Sequence, residues 1–189
     1  MHILFVCTGN ICRSPMAELL MSRYLEGTSI QVSSAGTHGL SRHAIDPSSA
    51  RLMDSVGIDS SGFHSRRLTR AMASSADLIL CFERAQRQHI VSIAPVAVRY
   101  TFLLNEFADV CVHCAGHGLV RGLTIEERLQ SVMDAAPLIR ASMPVSQDIA
   151  DPHHQDFAHF EVAADDTNRA LRRILTSMRK HPEMFGDVR

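Results

Sequence analysis

The amino-acid sequence predicts a three-layer α/β fold, in which helices cover both faces of a central four-stranded parallel sheet. Short apolar runs alternate with longer segments of helical periodicity, a pattern typical of βαβ units. The first run, residues 2–7, is almost continuously apolar, as expected of a strand buried on both faces. Asp46-Pro47 and Gly57 bracket one helical segment with residues that favour a helix start and a helix end.

The other predicted elements follow the same alternation. We expect further strands at residues 30–34, 77–82 and 98–102, and helices at residues 15–24, 47–56, 83–93 and 163–178. Ser14 is expected to cap the first helix, with Pro15 as its first residue. Residues 105–147 form the least regular stretch, apart from an amphipathic segment near residues 125–139. We interpret this stretch as an insertion in a single domain that spans residues 1–189.

The composition is that of an ordinary globular domain. The chain has 189 residues, 46% of them hydrophobic, and a formal net charge of −1, so it has no overall attraction to nucleic acid or membrane surfaces. The apolar run near the N-terminus is too short for a signal peptide, and no run approaches transmembrane length. Five cysteines, an odd number, argue against a secreted disulfide framework. These features predict a cytoplasmic protein without nucleic-acid binding or membrane insertion.

The segment from Cys7 to Ser14 has the features of a phosphate-binding loop. A strand is predicted to end at its start and a helix to begin at its end, so the residues between them must curl. Gly9 and Asn10 tolerate the backbone conformations that a curl requires. Curled loops before helices turn successive backbone N–H groups inward, and these groups bind anions together with the helix dipole. We therefore predict that phosphate binds to the loop residues Thr8, Gly9, Asn10, Ile11, Cys12 and Ser14.

Cys7 and Arg13 are the predicted catalytic residues of this loop. A guanidinium makes two parallel hydrogen bonds to phosphate oxygens, which Arg13 is placed to provide. Cations and helix N-termini favour the thiolate form of a nearby cysteine, so Cys7 is predicted to be nucleophilic. Ser14 is in a position to hydrogen-bond the sulfur. Cys7 is thus expected to attack the phosphorus of a bound monoester.

The loop sequence resembles the signature of the low-molecular-weight protein tyrosine phosphatases of bacterial type. The resemblance is carried by residues 6–15, which read VCTGNICRSP. Residues 34–37 resemble the end of the family's second strand, residues 77–80 its third strand, and Asp151-Pro152 its general-acid loop. The similarity covers about residues 1–103 and 148–178, which leaves the predicted insertion outside it.

The resemblance implies a hydrolase that acts on phosphotyrosine in proteins, and on aryl phosphates, through a phosphocysteine intermediate. It makes Asp151 the general acid for the leaving phenolate and then the base that activates water. Pro152 restricts the backbone of Asp151, which suits a fixed loop. The implied partners are a tyrosine-phosphorylated protein and inorganic phosphate in the loop. No cofactor and no metal ligand are implied.

The sequence departs from the family around the substrate cleft. Family members usually carry an aromatic residue after Asp-Pro, whereas this chain has His153-His154. Leu40 stands where the resemblance implies another cleft wall. The reaction type is therefore better defined by the sequence than the substrate preference.

Two enzymatic alternatives on the same scaffold remain open. An arsenate reductase would need further cysteines to relay a disulfide, and Cys81, Cys111 and Cys114 are the candidates. A protein-arginine phosphatase would resemble this sequence closely, but such enzymes tend to carry threonine at the position of Ile11. Cys12 is also a candidate partner for a disulfide with oxidised Cys7.

A non-enzymatic alternative is a metal-binding regulatory module. Cys111, His113, Cys114 and His117 offer four ligands, although structural zinc sites usually draw their pairs from separated segments. A second polar cluster is interpreted as a loop beside a helix and contains Asp151, His153, His154, Asp156 and His159.

Overall fold

Four strands form the central sheet of this computed structural model, which describes residues 1–39 and 41–179. The strands are β1 (His2–Cys7), β2 (Gln31–Gly36), β3 (Leu78–Cys81) and β4 (Thr101–Leu103). Their order in the sheet is β2-β1-β3-β4, and every pair is parallel. The fold class predicted from the sequence is therefore confirmed.

The helices connect these strands and complete the chain. They are α1 (Arg13–Tyr24), α2 (Pro47–Ser55), α3 (Arg70–Ser75), α4 (Arg84–Ile93), α5 (Leu104–Gly116), α6 (Ile125–Ile139) and α7 (Phe157–Ser177). Short 3-10 turns occupy Pro95–Tyr100 and Arg140–Ser142. Among the helices that the structure describes, none is both long and apolar enough to cross a membrane.

The two faces of the sheet are covered by separate apolar cores, which makes the fold three-layered. Alternate residues of a strand point to opposite faces. Ile3 and Phe5 of β1 therefore pack into a core that includes residues of α1, α2, α5, α6 and α7. Leu4 and Val6 pack into the other core, which includes residues of α3 and α4. All four side chains are fully buried, as the continuous apolar run predicts.

The structure differs from the prediction mainly between β3 and the acid loop. The expected strand at residues 98–102 begins only at Thr101, because Pro95 opens a 3-10 turn that extends to Tyr100. Residues 105–147 are more regular than expected, since they hold most of α5 and all of α6. Cys111 and Cys114 of α5 are buried in the first core. The interpretation of this stretch as an insertion stays a prediction.

Candidate active site

Cys7 lies at the carboxyl end of β1, between the ends of β2 and β3. Parallel α/β sheets bind their ligands at this edge, because the loops that leave neighbouring strands converge there. The Cys7 side chain is buried. Gly36 ends β2 beside it, and an added Cβ there would lie 2.7 Å from the carbonyl oxygen of Thr8 and 2.9 Å from the amide nitrogen of Asn10. Only glycine allows the second strand to approach the loop so closely.

The loop after Cys7 curls as the sequence predicts. Asn10 adopts the left-handed backbone conformation with φ 56°, whereas Gly9 has no positive φ. The Asn10 backbone N–H donates to Sγ of Cys7 at 3.3 Å. Among the hydrogen bonds of the described residues, none uses a backbone N–H of Thr8, Gly9, Ile11 or Cys12. Backbone N–H groups that a curled loop leaves unused are the donors that an oxyanion needs.

Ser14 faces the sulfur and does not cap α1, so the predicted N-cap is wrong. The helix begins at Arg13, with Cys12 as an N-cap that makes no side-chain hydrogen bond. Oγ of Ser14 lies 3.0 Å from Sγ of Cys7 and accepts a hydrogen bond from Nδ2 of Asn10 at 2.9 Å. Asn10 donates to Oγ, so the Ser14 hydroxyl proton is available to a Cys7 thiolate.

A buried polar network fixes the loop from behind. Nδ2 of Asn10 also donates to Oγ of Ser34 at 2.7 Å, and Oδ1 of Asn10 accepts from the backbone N–H of Arg66 at 2.7 Å. Ser34 donates in turn to the Glu18 carboxylate, and burial raises the pKa of Glu18. Asn10 and Ser34 are fully buried. Such a fully satisfied network specifies one loop conformation.

Arg13 is a buried cation at the edge of the loop. Its Nη1 donates to the carbonyl oxygen of Ile149 at 2.8 Å and lies 3.3 Å from Oε2 of Glu83. Its Nη2 lies 2.6 Å from Oδ2 of Asp151, although this contact does not have hydrogen-bond geometry. Nε and Nη2 are buried and make no hydrogen bond within the part of the chain described. These two nitrogens form one edge of the guanidinium, which suits bidentate binding of an oxyanion.

Asp151 reaches this edge because the preceding backbone is fastened to the site. The Ile149 N–H donates to the carbonyl oxygen of Phe82 at 2.9 Å, while its own carbonyl accepts from Arg13. The backbone N–H of His153 donates to Oδ1 of Asp151 at 3.2 Å, and Pro152 is buried. The Asp151 side chain is 36% exposed. The structure thus brings together the three residues predicted to be catalytic.

Glu83 and Gln86 belong to the site but were missed in the sequence. Oε2 of Glu83 contacts Arg13, and Nε2 of Gln86 donates to Glu83 at 2.6 Å and to Oγ1 of Thr8 at 3.2 Å. The sequence signal for them is the capping-box spacing of Glu83 and Gln86. This spacing follows the third strand, so both residues lie at the carboxyl edge of the sheet, where ligands bind.

The two histidines after Asp151-Pro152 form a pair beside the cleft. The rings of His153 and His154 are 3.8 Å apart, and His154 has a positive φ of 64°. Nδ1 of His153 lies 3.9 Å from Oδ2 of Asp46. Leu40, the other expected cleft wall, lies outside the described residues.

Comparison with known proteins agrees with this geometry. A model of the low molecular weight phosphotyrosine protein phosphatase family matches residues 2–118. The chain belongs to this family. The match includes the phosphate loop and α5 but ends before Asp151, so the placement of Asp151 rests on the structure.

Named members of the low molecular weight phosphatase family are clearly similar. Etp of Escherichia coli K12, a low molecular weight protein-tyrosine-phosphatase, is 40% identical over 107 residues, which cover 57% of this chain and 71% of Etp. The crystal structure of the tyrosine phosphatase Wzb from Escherichia coli K30 with sulphate superposes with a TM-score of 0.67 at 27% identity, over 91% of this chain and 94% of that one. The arginine phosphatase YwlE of Geobacillus stearothermophilus has a TM-score of 0.69 over 93% and 90% of the two chains. Its 24% identity shows a common fold alone.

Proposed function

We propose that this protein hydrolyses phosphotyrosine in protein substrates through a phosphocysteine intermediate. The observation that supports this most strongly is the environment of the Cys7 sulfur. It contacts Asn10 and Ser14 in a loop whose other backbone N–H groups are unused, and Nε and Nη2 of Arg13 make no hydrogen bond among the described residues. A phosphate held by these donors has its phosphorus directly above a nucleophile.

In the first step, the Cys7 thiolate attacks phosphorus and the bond to the phenolic oxygen breaks. The three non-bridging oxygens stay within reach of the loop N–H groups and of Arg13, which stabilise the charge that they carry. Asp151 donates a proton to the leaving oxygen, so tyrosine departs as a neutral phenol. Ser14 stabilises the thiolate before attack through its hydroxyl proton.

In the second step, water attacks the phosphocysteine and the S–P bond breaks. Asp151, now a carboxylate, accepts a proton from that water, which returns the acid to its starting form. Cys7 leaves as a thiolate that Ser14 and the Asn10 N–H again stabilise. The products are inorganic phosphate and the unmodified protein, and no cofactor is consumed.

The cysteines argue against the arsenate reductase alternative. Cys81, Cys111 and Cys114 are fully buried, and burial raises the pKa of each thiol. A relay must pass its disulfide on to an external reductant, which a fully buried sulfur does not reach. Sγ of Cys81 donates instead to the carbonyl oxygen of Phe102 at 3.3 Å. The relay that this reaction requires therefore has no suitable second cysteine among these three.

The arginine phosphatase alternative lacks a feature that would favour it. Ile11 offers no hydroxyl to a guanidinium, and its apolar side chain, half-buried in the loop, suits an aromatic leaving group. We also retain the predictions of a single domain over residues 1–189, a bacterial origin and a cytoplasmic location.

A substrate profile tests the proposal. Metal-free protein is assayed on a phosphotyrosyl peptide, an aryl phosphate, phosphoarginine and arsenate, with Cys7→Ser as the control. We expect hydrolysis of the first two substrates, and loss of turnover in Cys7→Ser with phosphate binding retained. Turnover within about tenfold of wild type in Cys7→Ser, or a clear preference for phosphoarginine or arsenate, would overturn the proposal.

A further inference from the structure

Cys12, Asp46 and His153 meet beside the phosphate loop, although three separate segments supply them. The Cys12 sulfur, an Asp46 carboxylate oxygen and a His153 ring nitrogen all lie within 4.8 Å of one another. Within residues 1–39 and 41–179, no other group of three such side chains converges in this way. Asp46 is itself fastened to the loop, because its backbone N–H donates to the carbonyl oxygen of Ile11 at 2.8 Å.

The His153 ring contains an atom that the protein leaves unsatisfied. Nδ1 is buried and has no hydrogen-bond partner among the described residues, although the side chain as a whole is 39% exposed. The carboxylate Oδ2 of Asp46 is 3.9 Å away, too far for a hydrogen bond. Oδ1 of Asp46 accepts from the backbone N–H of Ser48 at 2.8 Å, which leaves Oδ2 for another partner. A buried ring nitrogen without a partner is costly unless something else occupies the space.

A divalent metal ion satisfies these three groups at once. Thiolate, imidazole and carboxylate are the donors that zinc prefers, at about 2.0–2.3 Å from the ion. Ligand atoms around a tetrahedral zinc ion are therefore about 3.3–3.6 Å apart. The observed separations are at most 4.8 Å, so the ligand atoms must approach one another by up to roughly 1 Å to bind zinc.

The ligand-rich segment of α5 does not converge in this way. Cys111 and Cys114 are buried in the core, whereas His113 and His117 stack on each other at 4.0 Å between ring centroids. The cysteines and histidines of this segment therefore lie on different sides, and within the described residues their ligand atoms do not converge on one point.

We propose that Cys12, Asp46 and His153 form a zinc-binding site whose occupancy inhibits the phosphatase. Zinc replaces the thiol proton of Cys12, which is released to solvent, and leaves its fourth position for water. The ion draws His153 and Cys12 together across the cleft, two residues after the acid and one residue before Arg13. His153 is then fixed against the loop, where it obstructs the approach of a substrate to Cys7. Metal binding does not depend on the proposed function, whereas the inhibitory effect rests on it.

Binding is tested on protein purified without a histidine tag and treated with chelator. Zinc is titrated by calorimetry, and cobalt(II) by absorption, because a cobalt–thiolate bond gives a charge-transfer band. We expect one metal ion per chain. His153→Phe should weaken binding by at least about tenfold, since even outer-shell partners of a metal change affinity by 10–100-fold. Cys12→Ser should abolish the charge-transfer band.

Three controls separate this site from its rivals. His154→Phe removes the adjacent histidine and should bind zinc as wild type does. Cys7→Ser should retain zinc binding and the cobalt band, because the nucleophile is not a ligand. The double variant His113→Ala with His117→Ala should also bind normally. Unchanged affinity in His153→Phe or Cys12→Ser, or lost binding in Cys7→Ser or the double variant, would overturn the site.

Inhibition is measured as the initial rate of aryl phosphate hydrolysis, normalised to the metal-free rate of each variant. Zinc should inhibit wild type and His154→Phe, and chelator should restore the rate. His153→Phe should need at least about tenfold more zinc for the same inhibition. Zinc that binds without inhibiting, or that inhibits His153→Phe equally, would overturn the inhibitory role. Failure of metal-free wild type to hydrolyse phosphotyrosine would instead overturn the proposed function, and the binding result would still stand.

Discussion

Nη2 of Arg13 lies 2.6 Å from Oδ2 of Asp151, so the acid occupies part of the edge that phosphate requires. The Arg13 side chain is 1% exposed, and it is neutralised by Glu83 as well as by Asp151. A phosphate dianion must displace an ionised Asp151 from this edge, because the two anions repel each other. A protonated Asp151 has no such conflict and can donate to the leaving oxygen. The contact therefore links substrate binding to the proton that the first step needs.

Replacing Asp151 by asparagine should have opposite effects on turnover and on phosphate affinity. Turnover of phenyl phosphate should fall by at least about 100-fold, because the proton donor is lost. Inorganic phosphate should bind at least as tightly as in wild type, because a competing carboxylate has left Arg13. Steady-state kinetics and calorimetry measure the two quantities, with Asp148→Asn as the control, since Asp148 pairs with Arg84. Equal losses on phenyl and nitrophenyl phosphate would contradict the acid role.

Asn10 should contribute to stability through both its side chain and its backbone. Asn10→Gly keeps the left-handed conformation but removes the bonds to Ser14, Ser34 and Arg66, at a cost of about 3 kcal/mol. Asn10→Ala should lose roughly 1 kcal/mol more, because alanine is strained at φ 56°. Denaturant unfolding measures both values. Asn105→Ala is the control, since its side chain makes one exposed bond to Gln147. Alanine equal to glycine at position 10 would contradict the backbone contribution.

Gly36→Ala should impair activity by displacing the phosphate loop. The added methyl group meets backbone atoms of Thr8 and Asn10 at less than 3 Å, and neither atom belongs to a flexible side chain. We expect kcat/KM on aryl phosphate to fall by at least about tenfold, since small misplacements at a reacting centre are costly. Gly62→Ala is the matched control, because nothing lies within 4 Å of its added Cβ. Similar kinetics for the two variants would show that the loop tolerates the methyl group.

Cys12 should protect Cys7 from irreversible oxidation. Peroxide converts a reactive thiolate to a sulfenic acid, which a neighbouring thiol captures as a disulfide. Both cysteines are free and buried in the same loop. Wild type should therefore be inactivated by peroxide and restored by dithiol, whereas Cys12→Ser should recover much less. Mass spectrometry that finds Cys7 as sulfinic or sulfonic acid in wild type, with no link to Cys12, would contradict the prediction.

The fold was readable from the sequence where the local signal and the tertiary structure agree. Residues 3–7 of the apolar run are buried, and the pattern favours a strand covered on both faces, as in a parallel sheet. The segment of α5 was missed, because glycine, histidine and two cysteines gave no clear periodicity before its partner α7 was known. The first residue of α1 was misplaced for a related reason. The sequence shows that Ser14 can cap a helix, but only the structure shows that the sulfur of Cys7 uses that hydroxyl.

Some residues of the active site are predictable from their spacing in the sequence, whereas others are brought together only by the fold. Cys7 and Arg13 stand in one short segment, so their spacing predicts a joint role. The contact between Arg13 and Glu83 joins residues that are distant in sequence. The same is true of the proposed ligand group of Cys12, Asp46 and His153. No spacing within the sequence predicts either contact. Their proximity follows from the order of the strands at the carboxyl edge of the sheet, which is a property of the whole fold.

Two hydrogen bonds of its backbone hold Ile149 in place, two residues before Asp151. The position of the acid therefore does not depend on the path of the chain before Ile149. The Ile149 N–H is bound to Phe82 and its carbonyl to Arg13, both through backbone atoms of residue 149 itself. Residues inserted or deleted between α5 and this anchor alter the path of the chain, but the register of Asp151 is set after they end. A change in the length of α6 or of its connections therefore need not displace the proton donor.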